Sequence, residues 1–203
     1  LAYSTNSDMS SPITINGIAE TTTTLTSLSD GTYYWHVRSV NASDTSAWSG
    51  ALSFIVDTTA PSGTILAVPE DNASVSGTPA VSWSAATDAH GPVTYSIAVS
   101  ASASFDTVLR NSDVGNATDT TISPALASGT YWWHVLARDA AGNTTTSAAR
   151  SFVVPAIPAT PIVVTPSDTA TMTTTTPTFT WNAVDAATSY TLLIDGGVSF
   201  TEP

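Results

Sequence analysis

The clearest pattern in the chain is an alternation. In Leu126–Asn143 (LASGTYWWHVLARDAAGN), Tyr131, Trp133, Val135 and Ala137 interleave with Trp132, His134, Leu136 and Arg138. A period of two marks a strand with one buried face, and bulky or β-branched residues suit a pleated surface. The Ala-Ser-Gly-Thr run before it predicts a turn, with Gly129 free to take positive φ. Asp139–Asn143 predicts a loop that returns the chain antiparallel. Around this strand the pattern predicts six others: Thr64–Val68, Ala80–Ser84, Val93–Ala101, Thr107–Asn111, Thr120–Ile122 and Arg150–Val153. Seven short strands separated by turn residues over about a hundred positions make the pattern of a two-sheet β-sandwich. No segment carries a helical period of useful length, so the fold class is all-β.

The alternating strand occurs twice. Leu28–Val37 reads LSDGTYYWHV, and Gly31, Trp35, His36 and Phe54 each precede Gly129, Trp133, His134 and Phe152 by 98 residues. A second set of marks runs toward the other end. Pro79 and Trp83 precede Pro177 and Trp181 by 98, whereas Tyr95 and Phe105 precede Tyr190 and Phe200 by 95. The shorter spacing places a shorter loop after Trp181, where nothing answers to His90-Gly91-Pro92. The chain therefore reads as a tandem repeat, to be argued per repeat.

The expected division is 1–56 for the C-terminal part of a first repeat, 57–154 for a complete second, and 155–203 for the N-terminal part of a third. Leu1 falls opposite Val99 on the 98-residue offset. The first part is expected to hold short β-runs at Ile13–Ile15 and Thr22–Thr26, then strands at Tyr33–Val40 and Leu52–Val56. The third should hold Ile162–Val164, Phe179–Trp181 and Tyr190–Ile194. Asp57–Pro61 and Val154–Pro158 are linkers, too short and too proline-bound to be flexible tethers. Neither partial repeat can bury both faces alone, because a sandwich needs two sheets. The chain is thus expected to be a window in a longer polypeptide. The alternative assembly is a head-to-tail filament in which the halves of successive molecules complete one another by strand complementation.

These residues resemble bacterial or archaeal fibronectin type III-like modules, within the wider immunoglobulin-like class. The resemblance rests on Pro79, Trp83 and Tyr95, then on Leu126, Gly129 and Tyr131 ahead of Trp133, Val135 and Ala137. It implies tandem sandwiches and a tyrosine corner at Tyr131 and Tyr33, in which the phenol bonds nearby backbone. Asp57-Thr-Thr-Ala-Pro and Asp139-Ala-Ala-Gly-Asn are similar to phrases of repetitive bacterial surface proteins. The likeness speaks for fold more than for function.

Composition narrows the partners. Lysine and cysteine are absent, and four arginines face sixteen acids for a formal charge of −12. That balance argues against a nucleic-acid or anionic-membrane partner and permits cations. Without cysteine there is no disulfide or thiolate metal site, and no apolar run approaches the length of a membrane span. Ser and Thr fill most of the polar surface.

Catalytic motifs are missing: there is no GxSxG, no HExxH and, without lysine, no P-loop. His36 and His134 fall on the outward face of the central strand as half-exposed polar residues, and His90 sits in a loop with no obvious partner. Trp35, Trp83, Trp133 and Trp181 fall at inward positions and read as core. Trp132 and its counterpart Tyr34 point outward and are the candidate binding aromatics, for a surface glycan or protein. Thirteen of the acids are Asp. In a sandwich of this topology Asp57, Asp88, Asp139 and Asn143 gather at the pole where the chain enters, a set of hard oxygens suited to calcium, although Asp and Asn also simply favour turns. Asn41, Asn72, Asn116 and Asn143 begin glycosylation sequons in expected loops, where a chain rich in Thr, Ser and Asn also yields chance matches.

The expectation is thus a non-catalytic structural spacer in a long extracellular or cell-surface protein: an adhesin stalk, surface-layer or filament component. Its partners would be neighbouring repeats of the same or identical chains. The alternatives are an accessory module of a secreted polysaccharide-degrading enzyme, or a carbohydrate- or protein-binding module.

Overall fold

A computed structural model describes residues 1–196, and Phe200 lies outside them. The described residues form strands and no helix, so none crosses a membrane as a helix. In chain order the strands are β1 (Ala2–Ser4), β2 (Ile13–Thr14), β3 (Gly31–His36), β4 (Leu52–Val56) and β5 (Leu66–Val68). Next come β6 (Ala73–Ser74), β7 (Ala80–Trp83), β8 (Thr94–Ser100), β9 (Val108–Gly115) and β10 (Asp119–Thr121). The last are β11 (Gly129–Arg138), β12 (Thr144–Thr146), β13 (Arg150–Val154), β14 (Val163–Thr165) and β15 (Thr180–Trp181).

The middle of the chain holds two sheets. One runs β10-β7-β5; the other runs β6-β13-β11-β8-β9, with β12 continuing along β11. Along β11 the odd-numbered residues from Tyr131 to Ala137 are buried and the intervening ones are half-buried. The two sheets send side chains into one core. Leu66, Val81 and Trp83 come from the smaller; Tyr95, Ile97, Val99, Trp133, Val135 and Phe152 come from the larger. Trp133, Val135 and Phe152 are completely buried. Each such side chain contributes about 1.5–3 kcal/mol relative to exposure, which makes this shared interior the main stabilising feature of the region.

The two ends are built differently. Residues 1–56 carry a single sheet, β2-β1-β3-β4, and residues 163–181 a two-stranded one, β14-β15. With no second sheet opposite, Trp35 and Phe54 line an open cavity of about 830 Å³ together with Leu1, Ile18, Leu25 and Leu28. Two expected strands do not form, because the strands that would pair with them have no counterpart among the described residues. Thr22–Thr26 lies 98 residues before the β10 region, but β10 is held by β7 and residues 1–56 contain no counterpart of β7. Tyr190–Ile194 answers to β8, whose partner β11 likewise has no counterpart among the described residues that follow.

The register also corrects one alignment. Ala2 lies opposite His36 as Ala98 lies opposite His134. Ser4 Oγ donates to Ser10 O as Ser100 Oγ donates to Thr107 O. Leu1 therefore answers to Ile97, not Val99: the first copy is two residues shorter between these strands. Beyond that gap the 98-residue echo holds in detail. Tyr33 Oη donates to Ser29 O and Tyr131 Oη to Ala127 O, both at 3.0 Å, which are the two expected corners. Val37 N–H donates to Ser49 Oγ and Val135 N–H to Ser147 Oγ, both at 3.1 Å. At the other end, Tyr95 Oη accepts from Ala86 N–H and Tyr190 Oη from Val184 N–H, both at 2.8 Å.

Candidate functional site at the first linker

The segment after β4, Asp57–Pro61, is fastened on both sides. From the turn before β3, Asp30 Oδ1 accepts from Thr58 N–H (3.0 Å) and Thr58 Oγ1 (2.8 Å), and Oδ2 accepts from Thr59 Oγ1 (2.6 Å). The hydroxyls of Thr59 and Thr58 hold the Asp30 carboxyl below its ordinary value. From the far side, Asn143 Nδ2 donates to Asp57 O (3.2 Å) and Thr59 O (3.4 Å), and Thr145 Oγ1 donates to Pro61 O (2.6 Å).

Asn143 is aimed by Asp139. The buried Asp139 carboxylate accepts from Gly142 N–H (2.6 Å) and Asn143 N–H (2.8 Å) at Oδ1, and from Asn143 Nδ2 (2.9 Å) at Oδ2. Gly142 makes this possible with φ at +101°, a conformation side-chain-bearing residues resist. Burial pushes the Asp139 carboxyl up, but the hydrogen bonds from Asn143 and the loop N–H groups outweigh it, so the group sits below its ordinary value.

A third element closes in from the β7–β8 loop. Asp88 Oδ1 accepts from His90 N–H at 2.8 Å, folding the loop so that His90 Nδ1 comes 3.8 Å from Asp57 Oδ1. The Asp57 side chain is 3% exposed. Its Oδ1 also accepts from Thr59 N–H (3.2 Å), whereas Oδ2 is buried without a hydrogen-bond partner, and so is His90 Nδ1. One donor atom each from Asp57, Asp88 and His90 lies within 4.8 Å of the others.

Of the expected oxygen set, the structure thus brings Asp57 and Asp88 together, while Asp139 and Asn143 are committed to bracing the linker. His90 takes their place. Its Asp88-x-His90 spacing fits a tight turn, but its pairing with Asp57 is made only when the linker packs onto the loop.

The other candidates fall elsewhere. Trp132 and Tyr34 are half-buried, flanked in their ladders by Ser100 and Ser151 and by Ser4 and Ser53 respectively. His134 stacks on Phe105 at 4.1 Å, and burial lowers its imidazole below the ordinary value; His36 stacks on Trp48 at 4.0 Å. Among the sequon residues, Asn41, Asn72 and Asn116 are exposed. Asn143 differs: its Nδ2, the atom a glycan would take, already holds the linker.

No protein-family model matches the chain, and no curated protein matches it either. Solved structures similar to it include the Streptomyces avermitilis alpha-L-rhamnosidase complexed with L-rhamnose, at 18% identity and TM-score 0.38, covering 49% of this chain and 11% of that one. Another is the chicken CNTN1 FN1-FN3 fragment, at 18% identity and TM-score 0.39, covering 62% and 43%. A third is the 6th fibronectin type III domain from human fibronectin type III domain containing protein 3, at 14% identity and TM-score 0.37, covering 52% and 95%. The chain thus spans less than half the length of the first two. The all-β reading stands on the sheets, corners and shared core described above.

Proposed function

We propose that the chain is a run of fibronectin type III-like sandwiches, complete over 57–154 and partial over 1–56 and 155–203. Its role is that of a non-catalytic structural spacer in a long extracellular surface protein, such as an adhesin stalk, surface-layer or filament component. The observation that carries this reading is the braced linker. Asp30 grips Thr58 and Thr59 from one side while Asn143 and Thr145 grip Asp57, Thr59 and Pro61 from the other. A joint held on both sides fixes the angle between successive units, which is what a distance-setting rod requires. The partners of such a segment are neighbouring repeats, and its mechanism is mechanical.

The test is the distance distribution across the joint. The chain has no cysteine, so spin labels at Ser43→Cys and Ala117→Cys, both exposed, report on it directly. A narrow distribution that broadens on Asn143→Ala or Asp30→Ala supports the spacer. A broad distribution in the parent chain sinks it.

A further inference from the structure

We infer that Asp57, Asp88 and His90 form a binding site for a divalent ion of the zinc class, joining the first linker to the β7–β8 loop. The argument starts from two orphaned atoms. Asp57 Oδ2 and His90 Nδ1 are both buried and neither has a hydrogen-bond partner. A buried carboxylate oxygen left unpaired is costly. At 3.8 Å the His90–Asp57 contact is too long to be a hydrogen bond, so direct pairing does not satisfy them. A cation held between them satisfies both at once.

The donor set then selects the ion. Two carboxylates and a neutral imidazole balance a charge of 2+. Ca²⁺ takes six to eight oxygens. Zn²⁺ accepts mixed nitrogen and oxygen ligands in fours, at about 2.0–2.2 Å, leaving one position here for water. Tetrahedral ligands at those lengths stand about 3.3–3.6 Å apart, and donors already within 4.8 Å of one another reach that spacing by small side-chain rotations. Asp88 is positioned for this because its Oδ1 is fixed by His90 N–H, leaving Oδ2 to turn to the ion. Bound there, the ion would add a third fastening to the linker.

This inference rests on the three side chains and not on the spacer reading: the joint can be rigid without metal, and metal can bind at a joint that bends. The experiment is a calorimetric titration of Zn²⁺ into the chelator-treated 203-residue chain, with Co²⁺ as a visible-absorbance probe. One ion per chain is expected, with Co²⁺ giving the intense bands of four-coordinate geometry. His90→Ala and Asp57→Asn should each weaken affinity by at least about tenfold, ligand loss costing no less than loss of an outer-shell partner, while His36→Ala and His134→Ala leave it unchanged. Asp88→Asn, which preserves the loop's shape and its hydrogen bond to His90 N–H, should also weaken binding; it serves if the buried Asp57 variant does not fold. Absence of Zn²⁺ binding overturns the proposal, as does binding that survives His90→Ala. Ca²⁺ binding tighter than Zn²⁺ overturns the assignment of the ion.

Discussion

The strands β3 and β11 carry nearly the same residues and the same corner, yet their aromatic side chains end in opposite surroundings. Tyr33 packs on Phe54 with ring centroids 5.5 Å apart, and Tyr131 on Phe152 at 5.7 Å. Both phenols reach back four residues to a carbonyl at 3.0 Å. One step further along the strand the likeness ends. Trp133 is completely buried under the β10-β7-β5 sheet, whereas Trp35 faces the open cavity beside Phe54. Local sequence therefore makes the strand and its corner; burial is conferred by residues far away in the chain, on the opposing sheet.

The sharpest way to break this comparison is to truncate both tryptophans. Trp133→Ala should cost about 3–5 kcal/mol, the usual range for emptying a packed aromatic site. Trp35→Ala should cost a small fraction of that, since the same ring there leaves no closed void. Denaturant unfolding of the two variants measures the difference, and equal losses would contradict the account. The converse experiment supplies the absent sheet. Because Leu1 answers to Ile97, a second copy of residues 61–96 placed ahead of Leu1 restores counterparts of β5, β7 and the start of β8. Trp35 fluorescence, isolated by subtracting a Trp35→Phe control, should shift to the blue and resist acrylamide quenching. Unchanged quenching would mean that more than the missing sheet keeps that face open.

The same contrast explains what could be read without coordinates. β11, β8 and β7 were legible because their alternation reports a face that is in fact buried, and the 98-residue echo exposed the corners at Tyr33 and Tyr131. Thr22–Thr26 and Tyr190–Ile194 carry equally good local β signals and are not strands. A strand is a pairing, and their partners are not among the described residues. The two-residue shift at Leu1 leaves no mark in the sequence because Ser4 and Ser100, which define it, are small polar residues in a serine-rich chain. At the linker, the clustering of Asp57 with Asp88 followed from topology. The roles within the cluster did not: whether Asp139 faces an ion or its own loop depends on Gly142 taking positive φ and on where Asn143 points.

A smaller effect separates the corners themselves. Tyr131→Phe and Tyr33→Phe each delete one hydrogen bond of the same length to backbone, worth about 0.5–1.5 kcal/mol. The ring packing is kept in both. Tyr131→Phe should destabilise the shared-core region by that amount, read as a lower midpoint of its unfolding transition. Tyr33→Phe should leave that transition in place, because its corner belongs to the single sheet. Movement of the shared-core transition by Tyr33→Phe would show that the braced linker couples the two regions.

The smallest expected effect concerns how the linker depends on pH. The Asp139 carboxyl lies below its ordinary value in the folded chain, and an unfolded aspartate titrates at about 3.9. A group depressed in this way contributes its stabilisation in full above the unfolded value and loses it as pH falls through the folded one. Asp30, held by Thr59 and Thr58, and Asp71, held by the N–H and hydroxyl of Ser151, shift in the same direction. The melting temperature should therefore be level around neutrality and drop below about pH 4. In Asp139→Asn the drop should be shallower, because one of the depressed carboxyls no longer titrates, and the loss at neutral pH should be modest. The amide still accepts from Gly142 and Asn143 N–H through its oxygen but can no longer accept from Asn143 Nδ2 at its other position. That leaves Asn143 less firmly aimed at Asp57 O and Thr59 O, so the variant should also broaden the distance distribution across the linker. An acid limb as steep in Asp139→Asn as in the parent would remove Asp139 from the brace and leave Asp30, Asn143 and Thr145 as its fastenings.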